Sequence, residues 1–136
     1  MNNAQKKRIL FVCVENSCRS QMAEAFGHIY GKGKVEIYSA GSRPSGKVNP
    51  RAVEFMKELG CDLKNHISKS LTDLPGGTFD CAITMGCGDE CPNVQAVLRE
   101  DWALEDPKHR PDEEFRRIRD TIGSKVKKLI TFLLDE

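Results

Sequence analysis

A chain of 136 residues is the size of one ordinary domain, large enough to bury a single core and too short to divide comfortably into two. Its 21 Lys and Arg nearly balance 20 Asp and Glu, so a net charge of +1 excludes a global field that would recruit nucleic acid or an anionic membrane. Any anion it binds must be held by local geometry.

The opening "MNNAQKKRILFVCVEN" is basic, but its apolar run stops at Glu15, too short for a signal-peptide core or a membrane span, so a cytoplasmic protein is expected. Within it, "RILFVCV" reads as a central parallel strand. A helix follows over about residues 17–30, with Met22, Phe26, Ile29 and Tyr30 on one apolar face. "VEIYSA" is a second strand, closed by "GSRPSG". "NPRAVEFMKELG" is a helix with an Asn cap, Pro in the first turn, apolar Val53, Met56 and Leu59, and a terminal Gly60. "FDCAITMG" is a third strand whose apolar stretch ends at Met85, and "VQAVL" a fourth. A last helix starts near Asp112 and buries Phe115, Ile118, Ile122, Val126, Leu129 and Leu133. This alternation predicts an α/β fold over residues 1–136: a single-domain, open, mostly four-stranded parallel sheet with helices on both faces and ligands at the strands' carboxyl ends.

Six cysteines (Cys13, Cys18, Cys61, Cys81, Cys87, Cys91) in a reducing compartment point to metal binding, catalysis or burial, not to a disulfide framework. Cys13 ends the first strand and Arg19 opens the first helix, so residues 13–19 form a loop at the sheet's carboxyl edge. Backbone N–H groups and the helix dipole there converge on an anion, and Arg19 can grip two of its oxygens at once. The same field favours a nucleophilic thiolate at Cys13, with Ser20 as a hydrogen-bond donor. The plainer alternative makes Cys13 and Cys18 small buried hydrophobes beside a capping Ser17, with Arg19 on a solvated face. In "EDWALEDPKHRP", Pro107 stiffens the loop and fixes where the Asp106 carboxylate points. Trp102 is expected to pack beneath that loop. "TMGCGDECP" brings Cys87 and Cys91 to the same sheet edge as Cys13. Zinc would need further ligands at characteristic spacing, which His66 and His109 do not supply. Cys61 and Cys81 are assigned to packing.

"VCVENSCRSQMAEAF" resembles the active-site loop of the low-molecular-weight protein tyrosine phosphatases and of the arsenate reductases that share their fold. "YSAGSRP", "GCDLKNHISKSL" and the last helix extend the resemblance over nearly the whole chain. It implies Cys13 as nucleophile, Asp106 as general acid and an oxyanion site of Val14, Glu15, Asn16, Ser17, Cys18, Arg19 and Ser20. Glu15 replaces the usual Gly, so its side chain must point away from the anion. Lys108, His109 and Arg110 follow Pro107 where phosphatases carry tyrosines, which argues against a phosphotyrosine platform. For arsenate reduction, the resemblance implies that Cys87 attacks Cys13, that Cys91 then forms a Cys87–Cys91 disulfide, and that thioredoxin or a glutaredoxin-like protein reduces it. Only Gly88, Asp89 and Glu90 separate the pair, a shorter interval than in well-known thioredoxin-linked members. Some members bind a monovalent cation at positions matching Asn16, Glu24, Ser39 and a carboxylate. Lys69 takes the carboxylate's place, so its ammonium is expected to stand in for the ion. No cofactor and no metal are implied, and a monomer is expected. The competing readings are a low-molecular-weight phosphatase acting through a phosphocysteine and a non-enzymatic redox-sensing oxyanion module.

Overall fold

The computed structural model describes residues 6–86 and 94–135. β1 (Lys7–Cys13) lies inside a four-stranded parallel sheet, flanked by β2 (Val35–Gly41) and β3 (Phe79–Thr84), with β4 (Ala96–Asp101) at the edge beyond β3. Ile9, Leu10, Phe11 and Val12 have no exposed surface, because a strand paired on both edges and covered on both faces must be apolar throughout. The register runs from Lys7 opposite Val35 to Cys13 opposite Gly41, so both strands end at the same level. That common end is where the connecting loops meet.

One sheet face carries α1 (Arg19–Gly31) and α3 (Asp112–Leu134), whose buried side chains join Ile9, Phe11, Cys81 and Ile83 in the main core. Phe55 and Met56 of α2 (Pro50–Lys57) belong to the same core. All six apolar residues expected on the last helix are buried. On the opposite face Leu10, Val12, Ala40 and Phe79 pack with Leu71 and Leu74 around the short 3-10 turn Leu71–Asp73. No helix among the described residues is long and apolar enough to cross a membrane.

Three boundaries differ from the sequence reading. α1 starts at Arg19, with Cys18 as a cap that makes no side-chain bond, and its Ile29 and Tyr30 are exposed. α2 stops at Lys57 because Leu59 is 46% exposed and extending the helix to Gly60 would bury nothing more. Its start is as expected: Asn49 Oδ1 accepts the Arg51 N–H at 2.8 Å ahead of Pro50. β4 begins at Ala96, not Val94, and runs on through Arg99–Asp101 because an edge strand tolerates polar residues.

Candidate active site

The loop between β1 and α1 turns its carbonyls outward. Val14 O accepts from Arg43 N (2.8 Å), Glu15 O from Ser45 N (3.1 Å) and Ser68 Oγ (2.8 Å), Ser17 O from Asn49 N (2.8 Å) and Cys18 O from Met22 N (2.9 Å). Asn16 O accepts from Gln21 Nε2 at 3.1 Å. In a trans peptide the N–H points opposite to the C=O, and the described residues contain no cis bond. Five outward carbonyls therefore direct the N–H groups of residues 15–19 to the concave side, an anion-binding nest at a helix N-terminus.

Two residues make this path possible. Asn16 takes φ +50°, a left-handed conformation that Asn tolerates better than most side chains. Gly41 lies so close that an added Cβ would meet Val14 O, Cys13 O (2.8 Å) and Asn16 N (2.9 Å). Both Asn16 and Ser20 are fully buried behind the loop. Asn16 Nδ2 donates to Ser20 Oγ (2.8 Å), which lies 2.9 Å from Cys13 Sγ, while Asn16 Oδ1 accepts from Lys69 N (2.7 Å) and Gln21 Nε2 (3.0 Å). The amide occupies a lone pair of Ser20 Oγ and leaves the hydroxyl hydrogen for the sulfur.

Cys13, Val14, Glu15, Ser17, Cys18, Arg19, Asp106 and Lys108 line one pocket of about 240 Å³, enough for a small oxyanion with water. Arg19 Nη1 donates to Met85 O and to Leu104 O (2.7 Å), which fixes the guanidinium plane and ties α1 to the end of β3 and to the loop before α3. Its Nη2 lies 3.9 Å from Asp106 Oδ2. Asp106 caps the 3-10 turn Pro107–His109, accepting Lys108 N on Oδ1 at 3.1 Å and leaving Oδ2 toward Arg19. Arg51 of α2 holds that turn from behind by donating to Lys108 O (3.2 Å), Pro107 O (3.4 Å) and Asp112 Oδ1 (2.8 Å). Burial, then the charges of Asp106 and Cys13, pushes the Cys18 thiol up to about 12, so it stays protonated near neutral pH.

A second cluster supports the loop from the other side. Glu24 accepts a short hydrogen bond from Ser39 Oγ, and its carboxylate lies 3.6 Å from Lys69 Nζ, 3.3 Å from His28 Nε2 and 4.0 Å from His66 Nδ1. Burial opposes ionisation of Glu24, but the bonds from His28 and Ser39 and the charges of Lys69 and His66 outweigh it and hold the carboxyl below its ordinary value. Burial moves His66 the same way, toward its neutral form. The Lys69 ammonium lies beside the Glu24 carboxylate and donates to Ile67 O at 3.0 Å.

Glu15 does not turn fully away as expected: it lines the mouth of the pocket, where its carboxylate meets Lys108 Nζ at 3.3 Å. Trp102 packs on Phe11, with ring centroids 5.9 Å apart. Cys81 is buried, and burial lifts its thiol to about 12; Cys61 packs at the core's edge. Cys87 and Cys91 lie outside the described residues. Gly41, Gln21 and Arg51 were not anticipated in the site. Only Gly41 left a trace in the sequence, as a glycine at the end of an apolar strand.

A four-stranded parallel sheet with a cysteine–arginine loop after its first strand and an Asp-Pro facing it defines one class of protein. The chain belongs to the low molecular weight phosphotyrosine protein phosphatase family, whose model matches residues 8–136. Within that family it is similar to the glutaredoxin arsenate reductase of Synechocystis sp., 39% identical over 127 residues that cover 91% of this chain and 96% of that protein. Arsenate reductase 2 of Staphylococcus saprophyticus is 41% identical over 90% of this chain and 95% of its own length. Among solved structures, an arsenate reductase in the phosphate binding state superposes with a TM-score of 0.84 at 38% identity, covering 92% of this chain and 97% of that one.

Proposed function

We propose that this protein is a cytoplasmic, monomeric, single-domain arsenate reductase. The observation that carries the reading is the joining of Cys13, Arg19 and Asp106 in one small pocket walled by an inward-facing backbone nest. The three relatives' names then select arsenate among tetrahedral oxyanions.

Arsenate binds against the nest with two oxygens on Arg19. Cys13 Sγ attacks arsenic, and Asp106 protonates the departing oxygen so that water leaves. The Cys87 thiolate then attacks Cys13 sulfur. An S–S bond forms, the S–As bond breaks with its electron pair going to arsenic, and arsenite is released. Cys91 attacks Cys87, freeing Cys13 as a thiol and leaving a Cys87–Cys91 disulfide. Two thiols are oxidised for each arsenic reduced. Thioredoxin or a glutaredoxin-like dithiol restores them, with no cofactor in the chain itself. The roles of Cys87 and Cys91 rest on their sequence position after Gly86 and on the resemblance.

The family description favours one other reading, phosphate monoester hydrolysis through a phosphocysteine, which needs Cys13, Arg19 and Asp106 but neither further cysteine. A single-turnover reaction of reduced protein with arsenate and no external reductant separates the two. The expected result is about one arsenite and two thiols lost per chain, as two-electron stoichiometry requires. Cys13→Ser abolishes both signals, and Cys87→Ser blocks arsenite release while sparing any ester hydrolysis. Full arsenate turnover by Cys87→Ser would refute the role given to the second thiol.

A further inference from the structure

We propose that Glu15 and Lys108 form a polar clasp across the mouth of the oxyanion pocket, selecting bare inorganic oxyanions over their organic esters. The inference rests on the oxyanion reading of that pocket and does not depend on arsenate being the anion.

Both residues line the pocket that has Cys13 at its base, and they approach it from opposite sides. Glu15 belongs to the oxyanion loop and Lys108 to the turn that carries Asp106. Both backbones are tied down: Glu15 O accepts from Ser45 N and Ser68 Oγ, and Lys108 donates its N–H to Asp106 while its carbonyl accepts from Arg51. Only the side chains span the opening, meeting at 3.3 Å. With the side chains 49% and 38% exposed, the pair is screened by water and opens readily, so it filters ligands without sealing the pocket.

The chemistry at the mouth differs between the two ligand classes. A tetrahedral anion seated on the nest, with Cys13 opposite its departing oxygen, directs that oxygen outward to Asp106 and the clasp. In a bare oxyanion the outward atom is oxygen, which accepts a hydrogen bond from the Lys108 ammonium. In an ester it carries carbon. The organic group must then lie against a carboxylate and an ammonium, stripping their water and returning no hydrogen bond. Glu15 alone would repel every anion, and Lys108 cancels that charge.

The test is calorimetric binding of inorganic phosphate and of phenylphosphonate, a non-hydrolysable anion with one outward organic group. It uses the reduced full-length chain, Lys108→Met, and Lys108→Met combined with Glu15→Gln. The wild type is expected to bind phosphate roughly tenfold more tightly than phenylphosphonate, and the double variant to shrink that ratio about fivefold or more, in line with the cost of unpaired polar groups. Lys108→Met alone uncovers the Glu15 charge and weakens phosphate more than phenylphosphonate. Because it keeps the backbone N–H that Asp106 Oδ1 accepts, it carries the test if the loop substitution disturbs the nest. Equal wild-type affinity for the two ligands, or an unchanged ratio in both variants, overturns the clasp. Absence of phosphate binding in the wild type overturns the oxyanion reading itself, and phosphate binding without arsenite formation overturns only the choice of arsenate.

Discussion

Gly41 shows how strictly the oxyanion loop is shaped by a residue that performs no chemistry. The Cβ of Gly41→Ala would press on backbone atoms of Cys13 and Asn16, which have no rotamer with which to yield. This substitution is expected to destabilise the fold by about 1–3 kcal/mol, the usual cost of overpacking, and to weaken phosphate binding by roughly tenfold or more. Calorimetric titration beside a thermal melt checks it, and unaltered phosphate affinity would mean that the close approach is dispensable. Lys69 makes a different point, since its ammonium already lies 3.6 Å from Glu24 Oε1. Turnover is expected to be the same in potassium and sodium chloride at constant ionic strength, and a large specific activation by potassium would contradict this. Cys13 and Arg19 stood out in the sequence by a strand end and a helix start, whereas Asp106 was singled out by its following proline together with the family resemblance. Gly41, Gln21 and Arg51 were not, because each acts on backbone or side chains that the fold brings to it, and nothing in the neighbouring residues records that meeting.

Between α2 and α3, beside the buried Phe55–Phe115 pair, a charged clamp forms at Glu58, just beyond the end of α2. Arg116 grips both of its oxygens, with Nη2 at 2.8 Å, and Arg119 Nη1 adds a contact at 2.7 Å. Hydrogen bonds from Arg116 and Arg119 hold the Glu58 carboxyl down to about 2. A folded-state value below the unfolded one stabilises the fold above the ordinary carboxylate range, and the benefit is lost as pH falls through that range toward about 2. Glu24 has the same sign. His66, held toward neutrality by burial, also erodes stability on acidification, because the unfolded chain takes up its proton first. Urea midpoints measured from neutral pH down into the carboxylate range are therefore expected to fall more steeply in the wild type than in Glu58→Gln. Parallel curves would show that the clamp contributes nothing. The elements themselves were read correctly from periodicity and caps. The misplaced ends at Leu59 and Val94, and the exposed Ile29 within α1, fall where apolar residues stand in solvent or outside the sheet, a tertiary outcome that a hydrophobic pattern cannot anticipate.

The parallel order β2-β1-β3-β4 explains why so much of the architecture followed from alternation alone: short apolar strands separated by amphipathic helices have few other ways to bury both faces. Trp102, the only tryptophan in the chain, rests on Phe11 of β1 and reports on the integrity of that sheet. Its fluorescence and phosphate binding are expected to disappear at the same urea concentration, and loss of binding well before the spectral change would show that the nest opens by itself. The reason lies in where Cys13 sits. It is the last residue of a strand that pairs with β2 along its whole length and with β3 on its other edge. Its neighbours Ile9–Val12 are fully buried and paired on both edges, so their amides are expected to exchange only on global opening, whereas the turn bearing Asp106 is held at the surface and is expected to open without it. On the proposed roles, brief excursions of the turn bearing Asp106 are expected to leave the Cys13 thiol and its loop intact.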